Sequence, residues 1–281
     1  MPVIDIGRTT GLPVLLDLTT GSITLGAGTV CDSAGARTLS QLRPLLRDPA
    51  AAGPELLYRL YRGVRRRQDE QLLAAAGLRH DLTITMPGRL GAEYVKTSGH
   101  YHPRGSEQIS FPELYEVAYG RAAFLLQRVD DAQAREPRVL EVWLQVCEAG
   151  ERILIPPDCG HVSINIGDVP LVVADLISRR SGHLYGSFQE RHGAAYYVLA
   201  EPHAEHGLVL EPNPAYGPLP EAHVGCGPRS TPVLADDLPA YAQVRCDPGR
   251  FAFLEALTPN SRDLVDLWRG GSSPLGRARH S

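Results

Sequence analysis

The chain has 281 residues, 43% of them hydrophobic and 21% charged, and a formal net charge of −4 at neutral pH. That much apolar material supplies a core and excludes wholesale disorder, while the acidic balance gives no overall attraction for nucleic acid or an anionic membrane. The five Cys form no C-x-x-C pair, which argues against a thiolate zinc site or a disulfide framework and fits a reducing compartment.

The 28 Gly and 23 Pro favour turns and short strands over long helices. In chain order, residues 14–18 and 23–25 read as strands around a Thr-Thr-Gly turn, and 56–64 as a further strand. Residues 66–76 lack breakers and predict a short helix with Gly77 to end it. From residue 81 the pattern is β: 82–86, 93–96, 115–119, 122–127, 139–145, 152–155, 162–166, 171–176 and 196–199. Short strands at such spacing predict a sandwich or barrel. Residues 251–257 read as one packing element, and 260–269 as a helix with Asn260 or Ser261 near its N-cap. Three regions are expected: N-terminal strands and a short helix over 1–80, a metal-binding barrel over 81–203, and an extension over 204–281 that wraps the barrel or contacts another copy. The N-terminus shows no basic start followed by an apolar run, and no stretch reaches the roughly 18 apolar residues of a membrane span, so a cytoplasmic location is expected.

The chemistry centres on Gly99-His100-Tyr101-His102. On an extended segment the two imidazoles share a face, because side chains alternate with period two, and so placed they can bind a divalent cation together. Glu113 follows, and Gly120 comes after six intervening residues; then come Gly150, Pro156, His161 and Asn165. Glu107 lies closer to His102, but only Glu113 is followed after six residues by Gly and continues into a strand pattern, so Glu113 is the preferred carboxylate and 103–112 reads as an inserted loop. Arg62, Arg65, Arg66 and Arg67 read as a solvated basic cluster, and His80, His192, His203, His206, His223 and His280 as surface or loop residues. Cys159 reads as a small buried residue.

These residues resemble the two motifs of the cupin family in order: two His one residue apart, Glu, six residues and Gly; then Gly, five residues, Pro, and His, three residues, Asn. The resemblance implies an all-β fold, the double-stranded β-helix or jelly-roll barrel, with a few short helices and here a C-terminal extension. Within that family, Thr97-Ser98-Gly99-His100-Tyr101-His102, Glu113-Leu114-Tyr115, Leu125-Leu126-Gln127, Ile155-Pro156-Pro157 and Gly182-His183-Leu184-Tyr185-Gly186 are similar to stretches of the cupin-type glucose-6-phosphate isomerases of archaea. So is Asn165-Ile166-Gly167-Asp168. The likeness runs over most of residues 12–200.

What it implies is a metal-dependent aldose–ketose isomerase of glycolysis or gluconeogenesis, acting on glucose 6-phosphate and fructose 6-phosphate. His100, His102, Glu113 and His161 would hold one divalent ion: Fe, Mn, Zn, Ni or Co. Thr83, Thr97 and Gly99 match positions around the substrate phosphate, and Tyr115, His183 and Tyr185 match positions facing the sugar. Glu113, His183 and Tyr185 are the implied catalytic residues. Ile177 stands where the family has a phosphate-binding Tyr, and Ser178-Arg179-Arg180 replaces a Pro-Ala-Asp run, so Arg179 and Arg180 are expected to bind the phosphate instead. These departures leave room for another phosphosugar or nucleotide-linked sugar. The same ligand set also serves Fe(II) dioxygenases, and a sugar-binding cupin without activity is a further alternative. A homodimer is expected by family analogy.

Overall fold

The computed structural model describes residues 2–105, 108–225, 237–269 and 272–274. Eleven strands build two facing sheets: β1 (Ser33–Thr38), β2 (Leu56–Arg62), β3 (Leu78–Thr85), β4 (Glu113–Tyr119), β5 (Arg121–Val129), β6 (Val139–Glu148), β7 (Arg152–Ile155), β8 (Cys159–Asn165), β9 (Leu171–Ser178), β10 (Ala222–Gly225) and β11 (Ser272–Pro274). The first sheet runs β7-β4-β9-β3-β2-β1 and the second β8-β5-β6-β10-β11. Neighbours are antiparallel except β6 and β10, which pair in parallel. This is the expected all-β jelly-roll barrel of the cupin type.

Three apolar clusters explain why the strands sit where they do. Tyr115, Val117, Phe124, Leu126, Trp143, Ile153 and Val173 fill the space between the sheets. Leu114, Leu154, Val172, Ala174, Leu176, Leu82 and Ile84 point the other way, beneath the N-terminal hairpin residues Val14 and Leu16 and the extension residues Tyr241, Val244, Phe251 and Leu254. On the outside of the second sheet, Ala123, Leu125, Leu144, Val162 and Ile164 form the third cluster. A sheet covered on both faces loses its polar alternation. All eight residues of β9 are buried accordingly, and they include one acid, Asp175.

Differences from the sequence reading have local causes. The strand expected over 82–86 begins at Leu78, and it joins β1 and β2 to the sheet that holds β4 and β9. The helix expected over 66–76 begins later: Arg65–Arg66 pairs with Thr29–Val30, and only Glu70–Ala75 is α-helical. The helix expected over 260–269 is a 3-10 turn over Pro259–Val265, with one α turn at Asp266–Arg269. Its N-cap is Thr258, locked in a reciprocal capping box with Ser261. A short helix over Ala240–Cys246, and strands over Leu208–Pro212 and β10, arise in the Pro-rich extension from long-range pairing that no local pattern announces. No helix among the described residues is long and apolar enough to cross a membrane.

Candidate metal centre

The segment before β4 is pinned to β8 by two backbone hydrogen bonds between His100 and His161, N to O 3.3 and 3.1 Å. This bridge is what makes the H-x-H pattern act like a strand: His100 and His102 face the interior, and Tyr101 between them packs outward on Phe188. Among the described residues of this stretch, 103–105 and 108–112, Arg104 is bridged to Ser110 and Gly105 N donates to Ile109 O at 2.8 Å. The loop thereby delivers the Phe111 carbonyl to His102 Nδ1 at 2.8 Å, and Glu113 begins β4 directly after it.

One ligand atom from each of His100, His102, Glu113 and His161 lies within 4.8 Å of all the others. Glu113 Oε2 stands 3.3 Å from His102 Nε2 and 3.1 Å from His161 Nε2, and His100 Nε2 stands 3.2 Å from His102 Nε2. A carbonyl can only accept, so His102 donates from Nδ1 to Phe111, which leaves its Nε2 turned toward Glu113. Glu113 Oε2 is buried without a hydrogen-bond donor. An orphaned carboxylate oxygen facing imidazole nitrogens in a buried site is what a divalent cation would satisfy, and three nitrogens with one oxygen suit a first-row transition ion. Burial, with the neighbouring imidazoles, holds His100 well below the ordinary histidine range, and burial lowers His161 as well. Burial works to raise Glu113, but His102 and His161 outweigh it and keep the carboxyl well below its usual range. Glu107 lies outside the described residues.

Around this cage the structure gathers Tyr115, whose hydroxyl is 3.2 Å from His161 Nε2, and His183, whose ring centroid is 4.4 Å from that of His100. Tyr185 stacks on His183 at 5.7 Å and 11°. Burial, aided by the Arg62 guanidinium, brings His183 down to about 4, so it is neutral at pH 7. Thr83 is buried on β3 opposite Leu60 and Val173. The Thr97 hydroxyl accepts from Ser163 N at 3.1 Å. Gly99 takes φ +71°, and a Cβ there would come within 2.7 Å of both Phe188 and Val162, so only glycine fits. Ile177 is paired directly with Glu113 across β9 and β4. Arg179 and Arg180 are not brought to the cage: Arg179 reaches Glu70 at 3.5 Å and Arg180 reaches Glu255 at 2.6 Å, both at the surface.

Several residues near the site escaped the sequence reading. Arg62 is no part of a solvated face; it donates to Asp81 at 2.6 Å and to His183 Nε2 at 3.4 Å. Arg79 shares the same Asp81 carboxylate at 2.9 Å. Asp175 sits one strand from Tyr115 and one from Asp81. Burial, reinforced by the charges of Glu113 and Asp81, raises its pKa well above the ordinary carboxylate value. An acid inside the apolar run 171–177 was the available signal. His80 is also buried rather than on the surface, its Nδ1 on the Val64 carbonyl at 2.9 Å. Cys159 is buried, as expected, and outside the ligand group.

Residues 36–213 match the family model described as glucose-6-phosphate isomerase (GPI). A glucose-6-phosphate isomerase of Thermococcus litoralis is 31% identical over 134 residues, 48% of this chain and 62% of that protein. One of Pyrococcus abyssi is 32% identical over 119 residues, 42% of this chain and 56% of that protein. The chain thus spans somewhat under two thirds of the length of these relatives. Among solved structures, an oxalate decarboxylase of Bacillus subtilis is similar at 19% identity and TM-score 0.29, over 43% of this chain and 26% of that one. With the family match extending over well more than half of its residues, the chain belongs to the glucose-6-phosphate isomerase family.

Proposed function

We propose that this protein is a metal-dependent phosphosugar isomerase that interconverts glucose 6-phosphate and fructose 6-phosphate. The observation that carries the reading is the buried cage of His100, His102, Glu113 and His161 in a chain of this family. Those four residues would hold a divalent cation, which when bound supplies Lewis-acid polarisation of a carbonyl.

The chain's own groups supply the rest. Aldose–ketose interconversion moves one hydrogen between C1 and C2 and one between their oxygens. Two groups at the cage can take up a proton at neutral pH. One is Glu113, held ionised by its imidazole neighbours, and the other is His183, held neutral by burial and Arg62. Tyr115 is a hydroxyl donor whose pKa burial raises further, placed to steady a developing oxyanion, and burial pushes the Asp175 carboxyl toward its protonated form beside it. Tyr185 stacked on His183 fixes the plane of that imidazole at the edge of the cage.

The test is a coupled assay of fructose 6-phosphate conversion with metal-stripped protein resupplied with Mn²⁺, Fe²⁺, Zn²⁺, Ni²⁺ or Co²⁺, run beside His100→Ala. Metal-restored turnover that the variant lacks supports the reading. Absence of turnover with every metal, in protein shown to bind it, overturns the substrate assignment. Running the reaction in deuterated water separates the routes: solvent deuterium in the product marks proton transfer through a protein base, and its exclusion marks a direct hydride shift.

A further inference from the structure

We propose that Arg37 is the residue that grips the phosphate of the substrate; the assignment rests on the phosphosugar reading above and adds to it a residue outside the matched motifs. A cleft of about 320 Å³ opens beside the cage, lined by Arg37, Gln41, Ser98, Gly99, Tyr185 and Phe188 among others. That volume lies within the range of small-ligand sites. Its inner wall is Tyr185, whose ring is 5.7 Å from that of His100 and stacked on His183. Its outer wall is Arg37, at the end of β1. The cleft therefore brings together a guanidinium and a ring that neighbours a metal ligand.

The charge at Arg37 is the distinguishing feature. Other arginines around the barrel mouth are neutralised: Arg62 and Arg79 share Asp81, Arg179 meets Glu70, and Arg180 meets Glu255. Among the described residues no carboxylate lies within ion-pair reach of Arg37; its Nη1 donates to the neighbouring Ala36 carbonyl at 3.0 Å. The backbone that carries it is placed by the sheet. Arg37 is paired across β1 and β2 with Tyr58, and the Tyr58 hydroxyl is 2.8 Å from Ser98 Oγ. One row of the sheet therefore ties Arg37 to the Ser98-Gly99 backbone that leads into His100.

A half-buried cation without a counter-charge, in a cleft beside a metal cage, fits a ligand with a carbonyl at one end and a dianion at the other. A phosphomonoester offers oxygens in the fork geometry that guanidinium matches. Gly99 lets that group approach the chain closely.

The test uses the full, metal-loaded chain as wild type, Arg37→Ala and Arg37→Lys. Fructose 6-phosphate kinetics are measured, and inorganic phosphate is titrated calorimetrically into each. Arg37→Ala is expected to raise KM by about 10–100-fold with kcat changed only a few-fold, and to weaken inorganic phosphate by a similar factor. Arg37→Lys should recover part of both as a point charge. Unchanged KM and unchanged phosphate affinity in Arg37→Ala overturn the assignment while leaving the isomerase reading intact. Wild type that is inactive on fructose 6-phosphate but binds inorganic phosphate through Arg37 removes that reading and keeps the anion site. Wild type that does neither removes both.

Discussion

The cage and the C-terminal extension are built from opposite kinds of information. Every cage residue lies on β4, on β8 or on the segment bridged to β8, so its direction follows from chain alternation and a short stretch of pairing. Beyond its strands at Leu208–Pro212 and β10, the extension holds on by single large side chains dropped into distant pockets. Tyr241 donates to Asp69 at 2.7 Å, Phe251 and Leu254 cover the back of β3 and β9, and Trp268 meets Trp143 and donates to the Leu154 carbonyl at 2.9 Å. The difference teaches a division of labour: chemistry on the strands, stability from the wrap. It predicts that damage to one region leaves the quantity governed by the other in place.

The largest effect should come from the cage. His161→Ala removes a ligand and leaves Glu113 facing the remaining imidazoles, so turnover should fall at least about 10³-fold. Metal content should fall with it, while the far-ultraviolet circular dichroism of the folded protein stays that of wild type. Loss of metal with retained turnover would break the comparison.

The next effect belongs to the wrap. Phe251→Ala empties a fully buried site and should cost about 3–5 kcal/mol of stability by denaturant titration. The kcat of the fraction that stays folded should remain within about two-fold of wild type if chemistry and wrap are separate. A parallel collapse of kcat in folded, metal-loaded protein would show that the extension shapes the site.

A smaller effect sits where the two regions meet. His80 on β3 packs against Tyr241 at 5.0 Å between ring centroids, and burial holds its pKa below the ordinary value. The unfolded chain therefore binds a proton there at a higher pH than the native one does, so stability falls as pH drops below about 6.5. The slope from this one group is up to about 1.4 kcal/mol per pH unit. Thermal unfolding of wild type and His80→Gln between pH 7 and pH 5 measures it, and the variant should show the shallower loss.

The smallest effect is expected at Arg180. Its guanidinium is more than half exposed and paired with Glu255 of the extension, and exposed pairs are worth about 0–1 kcal/mol. Arg180→Ala should leave KM for fructose 6-phosphate within about two-fold of wild type. A ten-fold rise would move the phosphate to this rim.

The same contrast explains what the sequence made legible. The β-rich barrel was readable because turn residues punctuate short apolar runs, and the four cage residues were readable because their order and spacing carry a family pattern. The inserted loop before Glu113 did not obscure that residue, since the Gly seven positions on survived. Arg62, Arg79, Asp81 and Asp175 were not legible, because they converge from three strands whose register only the folded sheet reveals. Arg37 was hidden for the same reason: nothing near it in sequence shows that it lies across from Tyr58. Arg179 and Arg180 misled in the opposite direction, since their partners Glu70 and Glu255 are far away along the chain.

The most direct test of the account is to titrate Mn²⁺ into metal-stripped protein while following fructose 6-phosphate turnover in the same sample. The account predicts activity that is absent at the start, rises with added metal and saturates near one equivalent per chain, with no rise in His161→Ala. Full activity in the stripped protein, or saturation unaffected by His161→Ala, would contradict it.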